Sequence, residues 1–143
     1  GIGEVSPEAD ELMKVTRECF FEGIKYAKEG NHLFDISKAI GKYAEERGYG
    51  VVRDLCGHGI GMNLHEAPEI PNFEMHRKGV KLKAGMTLAI EPMITIGGWE
   101  VEWLSDDWTV VTRDRSLSAH YENTVLITEG EPRLLTLTSR EVD

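Results

Sequence analysis

Met86-Thr87-Leu88-Ala89-Ile90-Glu91-Pro92-Met93-Ile94 is an apolar run with one carboxylate set inside it. Its composition predicts a strand over 86–96, bent at Pro92, which has no N–H to give to a sheet ladder. A carboxylate in a buried strand is costly unless a cation or good donors stabilise it, and neither Ile90 nor Pro92 offers one. A second run, Ala119-His120-Tyr121-Glu122-Asn123-Thr124-Val125-Leu126-Ile127, alternates like a strand and carries Glu122 in the same way. A third island, Cys56-Gly57-His58-Gly59-Ile60-Gly61-Met62-Asn63-Leu64-His65-Glu66, adds two imidazoles among glycines. One imidazole and two carboxylates make an ordinary ligand set for a divalent metal.

Working outward from 86–96, further strands are expected at 108–113, 118–128 and 133–137, with Asp114-Arg115 and Glu129-Gly130 as hairpin turns. The stretch 72–83 is polar and without periodicity, which predicts a surface loop. Toward the N-terminus the grammar is helical. Ser6-Pro7-Glu8 supplies a cap residue, a first-turn proline and an acid, and Leu12, Val15, Cys19 and Gly23 form a stripe. Met13, Phe20, Ile24 and Ala27 widen that stripe, and Gly30-Asn31 is expected to end the helix. A second helix is predicted from Asp35, with Ile36, Ala39, Ile40, Tyr43 and Ala44 inward and Gly48 as its stop. Helices followed by consecutive strands give an α+β class, two helices packed on one face of a mainly antiparallel sheet. Neither a repeat nor a linker interrupts residues 1–143, so a single domain is expected.

Bulk properties narrow the partners. A net charge of −9 and a pI near 5.0 argue against nucleic acid or an anionic membrane surface. No apolar stretch approaches the length of a membrane span, and the N-terminus has no basic segment followed by an apolar core. The two cysteines, Cys19 and Cys56, show no Cys-x-x-Cys spacing, which fits a reduced, cytoplasmic setting.

Each site residue also has a plainer reading. His58 fits a hydrogen-bonded loop histidine, and Glu122 fits an edge-strand carboxylate facing water or paired with Arg113 or Arg115. Gly57, Gly59 and Gly61 require a tight backbone path, but their spacing is neither a Walker nor a dinucleotide motif. Trp99, Trp103 and Trp108 are expected in the core or at its rim, and Cys56 as a small buried hydrophobe.

Taken in order, Cys56-Gly-His58-Gly-Ile-Gly61, His65-Glu66-x-Pro68, Gly85-Met86, Glu91-Pro92-Met93, Trp108-Thr109-Val110, Asp114 and Ser118-Ala119-x-Tyr121-Glu122 resemble a type I methionine aminopeptidase. The resemblance runs from Val5-Ser6 through Leu135-Thr136. It implies the pseudo-two-fold pita-bread architecture with two divalent metal ions, of which Mn, Co, Fe or Zn suit a nitrogen-and-oxygen ligand set. His58 and Glu91 would bind one ion and Glu122 would bridge both. His65 would hydrogen-bond the scissile carbonyl, and Glu91 would accept a proton from the attacking water. Leu64, Trp108 and His120 match positions around the methionine pocket, Leu64 standing where the family commonly has phenylalanine.

The implied activity is removal of methionine from peptide and nascent-chain N-termini. The family also carries a preceding half with a histidine and two aspartate ligands, none of which has a match here. The chain therefore resembles the C-terminal half, with little or no activity expected from it alone. A homodimer, or association with such a half, is expected through the broad face of the first helix and the 86–96 strand. The competing expectation is a non-catalytic module of the same fold that binds a peptide or partner surface.

Overall fold

A computed structural model describes residues 1–138 of the chain. Helix α1 (Pro7–Ile24) starts as its residues require: Ser6 Oγ accepts from Ala9 N at 3.2 Å, and Glu8 and Asp10 lie in the first turn. Leu12, Val15, Cys19 and Phe20 are buried along it. The helix stops at Ile24, before the expected Gly30-Asn31, because the chain turns sharply and folds Ala27 back into the core. The amide of Asn31 ties that turn by donating to the Tyr26 carbonyl at 3.0 Å.

Helix α2 (Leu33–Glu45) begins before Asp35, the residue expected to open it. Asp35 is instead the third helical residue and accepts from His32 N at 2.8 Å, one arm of a capping box whose cap is His32. Leu33, Phe34, Ile36, Ile40 and Ala44 form its buried face.

Among the described residues ten short strands follow: β1 (Gly50–Val51), β2 (Gly57–Gly59), β3 (Glu66–Ile70), β4 (Thr87–Ile90), β5 (Met93–Thr95), β6 (Val101–Trp103), β7 (Val110–Thr112), β8 (Ser118–His120), β9 (Asn123–Leu126) and β10 (Arg133–Leu134). They form three antiparallel sheets, in the orders β1-β5-β8, β10-β9-β4-β2-β3 and β6-β7. Helix α1 packs on α2, β5 and β8, and α2 on β1 and β3, which is the expected α+β arrangement.

The two runs read as single strands each pass from one sheet into another. The 86–96 run is β4 and β5, separated by Glu91-Pro92, and the 118–128 run is β8 and β9, separated by Tyr121-Glu122. Register is kept through the break, with Ile90 opposite Asn123 and Met93 opposite His120, so Glu91 faces Glu122. The Pro92 carbonyl accepts from Tyr121 N at 3.1 Å and holds the two kinks level.

Several expectations are corrected. Strands β2 and β3 have no signal in the sequence, because Gly-His-Gly and Glu-Ala-Pro-Glu-Ile have little strand propensity and take their shape from neighbours. Asp114-Arg115 closes no hairpin, since β7 pairs with β6 while β8 pairs with β5; Glu129-Gly130 does connect the paired β9 and β10. Strand β10 ends at Leu134, short of 137. The 72–83 stretch is no simple surface loop, because Asn72 and Leu82 are fully buried and Leu82 N donates to the Asn31 carbonyl at 2.8 Å. Trp103 and Trp108 are exposed, Trp108 at 87%, while Trp99 is half-buried beneath the Arg53 guanidinium. Of the surfaces named for self-association, α1 packs most of its stripe on α2 and the sheets and Leu88, Ala89, Ile90 and Ile94 are in the core, while Met13 is exposed and Ile24, Met86 and Ile96 are partly buried.

Two tests follow from this packing. Helix α2 lies directly on the 72–74 backbone at Gly41, where an added Cβ would come 2.9 Å from Phe73 Cα and 3.0 Å from Asn72 O. Helix propensity alone favours Gly41→Ala by about 1 kcal/mol. Overpacking against rigid backbone costs about 1–3 kcal/mol, so a lower melting temperature is expected, and a higher one would refute the close approach.

The second concerns Asp114, whose carboxylate accepts from Gly98 N at 2.7 Å and Ser116 N at 2.9 Å. Hydrogen bonds from the Ser116 side chain and backbone, then from Gly98, hold its carboxyl down from 3.8 to about 2. A depressed pKa stabilises the fold above the unfolded value, and that contribution disappears as pH falls through the folded one. The melting-temperature gap between wild type and Asp114→Asn is therefore expected to be steady above about pH 5 and to close toward pH 2. A gap independent of pH over that range counts against the linkage.

Candidate metal centre

The site is built at the level where both long strands change sheet. Backbone bonds from Ile127 N to Met86 O, Tyr121 N to Pro92 O and Ile96 N to Leu117 O mark the hydrogen-bonded pairs of this ladder. Glu91 and Glu122 thus form a non-hydrogen-bonded pair, in which opposed side chains come closer together. Like charges directly opposite each other are destabilising, so the pair calls for a positive partner.

His58 provides nitrogen from the adjacent chain. Strand β1 pairs Val51 with Ile94; continued without a break, that register would set His58 opposite Thr87. His58 stands opposite Ala89 instead, because residues 53–56 loop out and add two positions to this strand. His58, Ala89 and Glu91 consequently share one face. Gly57 is required there, since a Cβ would collide with the Ala89 carbonyl oxygen and lie 3.4 Å from Glu91 Cγ.

The resulting geometry is tight. One ligand atom from each of His58, Glu91 and Glu122 lies within 4.8 Å of the others. His58 Nδ1 is 2.9 Å from the Gly59 carbonyl oxygen, which can only accept, so Nδ1 carries a proton. Nε2 then faces Glu91 Oε1 at 3.3 Å, a pair that a proton or a cation between the two atoms would hold together. The His58 and Glu91 side chains are only 13% and 12% exposed, so water screens them little. Glu122 is more open than a buried strand residue would be, at 44%. It pairs with neither arginine considered from the sequence among the ion pairs seen: Arg115 holds Glu102 at 2.6 Å.

The sequence resemblance places His120 only at a substrate pocket, yet its Nε2 lies 3.2 Å from Glu91 Oε2 and 4.0 Å from Glu122 Oε2. The hydrogen bond with Glu91 raises its pKa above the usual histidine value, against the opposing effect of burial. Its position opposite Met93 is the register signal that would have found this contact. His65 sits on the exposed loop before β3 with its ring centroid 4.2 Å from that of His58. A cleft of about 380 Å³ lies there, lined by Cys56, His58, His65, Glu66 and Glu69 among others. Leu64 and Trp108 are well exposed and do not line that cleft. His120 and Met93 border a second cavity of about 190 Å³ with Val52, Leu55, Val101 and Val110.

Cys56 is half-buried at the cleft wall, not in the core as expected. Burial raises its thiol pKa, and raises that of fully buried Cys19 further, to about 12. Thiolate reactivity follows pKa and access, so a thiol reagent at pH 8 should titrate Cys56 slowly and Cys19 only on unfolding. Modification of Cys19 in the native protein at the rate of Cys56 would contradict this packing.

Residues 1–129 match the family described as metallopeptidase family M24. The methionine aminopeptidase of Clostridium acetobutylicum is 57% identical over 136 residues, covering 95% of this chain and 54% of that protein. Methionine aminopeptidase 1 of Bacillus subtilis is 45% identical over 135 residues, covering 94% and 54%. Among solved structures, methionine aminopeptidase from Rickettsia prowazekii superposes with a TM-score of 0.91 at 41% identity, over 94% of this chain and 55% of that one. The prolidase from Pyrococcus furiosus aligns at 26% identity with a TM-score of 0.71. The chain spans about half the length of the curated relatives it matches. Its two helices and antiparallel sheets correspond to that share of the pita-bread architecture. The chain belongs to metallopeptidase family M24.

Proposed function

We propose that this chain carries His58, Glu91 and Glu122 as ligands of a divalent metal centre in an aminopeptidase that releases N-terminal methionine from peptides and nascent chains. The observation that carries this is the convergence of one imidazole and two carboxylates, from three separate strand regions, within 4.8 Å. The residues suit such an ion. The donor set is nitrogen and oxygen without thiolate, Nε2 of His58 faces the carboxylates, and two opposed carboxylates supply negative charge at one point. Mn, Co, Fe and Zn all fit that chemistry.

A bound divalent cation supplies Lewis acidity, polarising a peptide carbonyl and lowering the pKa of a water. The protein groups take the remaining roles. Glu91, with His58 beside one oxygen and His120 beside the other, accepts the proton released by the attacking water. His65, beside His58 in the open cleft, donates to the carbonyl oxygen as it turns tetrahedral. His120, Leu64 and Trp108 are proposed to contact the methionine side chain.

Binding of Mn or Co to this chain, followed by calorimetry, tests the ligand set. Glu91→Ala should weaken affinity by more than about 100-fold, beyond the effect of losing an outer partner, while Glu66→Ala leaves it nearly unchanged. Equal losses in the two variants would sink the assignment. For activity, methionine release from a Met-Ala peptide is expected to track metal loading in protein that contains this chain, and to vanish in Glu91→Ala.

A further inference from the structure

We propose that Asn72 is a positioning residue for Glu91, and through it for the metal centre; this rests on the metal-binding reading above. In the ladder between 86–96 and 117–127, the even positions Met86, Pro92 and Ile96 make the cross-strand bonds. The backbone polar groups of Glu91 therefore point the other way, toward the 50–60 chain. Its neighbours find partners there: Ile60 N donates to Thr87 O at 3.1 Å and Val52 N to Met93 O at 3.1 Å. Between those two bonds residues 53–56 leave the sheet, and the Glu91 carbonyl loses its ladder donor.

Asn72 fills the gap. Its Nδ2 donates to the Glu91 carbonyl oxygen at 2.9 Å, and the residue is 0% exposed. The amide is held in this orientation even though Oδ1 is buried and finds no partner among the described residues. A carbonyl only accepts, so flipping the amide would exchange a bond for a clash of oxygens. The donor is itself braced, because α2 presses on the 72–74 backbone at Gly41 with no side chain between them. Glu91 also precedes a proline, which already restricts it to extended backbone. With its N-terminal side in β4, its C-terminal side locked by Pro92 and its carbonyl fixed by Asn72, Glu91 has one backbone orientation, and its carboxylate is aimed between His58 and Glu122. Neither sequence periodicity nor the ligand pattern points to Asn72, which belongs to a stretch that reads as loop.

Cobalt(II) serves as the probe, because its visible absorption reports ligand geometry separately from affinity and from turnover. Asn72→Asp removes the donor at constant size, and Asn72→Ser removes it without adding charge, its oxygen being too short to reach. Leu82→Ala is the control, since it opens the buried core outside the cluster and should lower the melting temperature. Both Asn72 variants are expected to weaken cobalt binding about 10- to 100-fold and to alter the absorption envelope, as loss of an outer partner does. Leu82→Ala should leave affinity and spectrum as in wild type despite its lower melting temperature. Wild-type affinity and spectrum in folded Asn72→Ser would overturn the proposal, as would a matching loss in Leu82→Ala. If wild type itself takes up no cobalt, the metal-binding reading fails first, and the two failures are thereby told apart. Should Asn72→Asp not fold, Asn72→Ser carries the test alone.

Discussion

The opposition of Glu91 and Glu122 across one non-hydrogen-bonded strand pair is the constraint around which the site is arranged. Two carboxylates in that position repel, and an unaided sheet would not choose it. Here the pair is imposed by register, since the β4-β9 and β5-β8 ladders share one alignment and leave these two residues facing each other. The repulsion is directed to one point, where His58 and His120 offer nitrogen. The cluster gathers negative charge and imidazole in a half-enclosed place, which is what a divalent cation requires and what a folding chain would otherwise avoid.

Keeping the kinks level needs support from both sides of the sheets. On the core side, Tyr121 packs edge-on against Phe20 at 5.3 Å and beside Phe21 at 6.3 Å, tying the β8-β9 break to α1. On the other strand, Asn72 closes the backbone at Glu91, and α2 backs it through Gly41. Each helix therefore braces one of the two kinks. The arrangement tolerates local costs: the Asn72 Oδ1 and Asn123 Nδ2 atoms are buried without partners among the described residues, beside Glu91 and Glu122. Asn123 follows Glu122 directly and spends its other amide atom on Thr136, whose hydroxyl donates at 2.7 Å. That bond links β9 to the segment after β10 immediately beyond the second carboxylate.

How His58 reaches the carboxylates is a matter of register and not of chain proximity. An unbroken pairing of the 50–60 chain with 86–96 would leave it opposite Thr87, one same-face position farther from Glu91. Looping out residues 53–56 moves it closer and also opens the gap that Asn72 fills. The placement of His58 beside Glu91 and the Asn72 contact are two consequences of one bulge. Bulges recur where a strand must re-aim a side chain, and this one also strips a carbonyl of its partner.

Sequence by itself determined the α+β class, the Ser6-Pro7 helix start, the strand character around 86–96 and 118–128, and the two carboxylates, Glu91 and Glu122, set within those strand runs. Those follow from local rules: capping, periodicity, and the cost of an unpaired carboxylate. What lay beyond it were features without a local signal. Gly57-His58-Gly59 and Glu66-Ala67-Pro68-Glu69-Ile70 become strands only because neighbours supply their hydrogen bonds. Glu91 and Glu122 meet because two strands far apart in sequence share a register, and His120 joins them through the same pairing. Asn72 acquires its role from a carbonyl that a bulge elsewhere leaves over. Tertiary structure alone decided these, because long-range register and the satisfaction of buried backbone groups depend on every strand being in place at once.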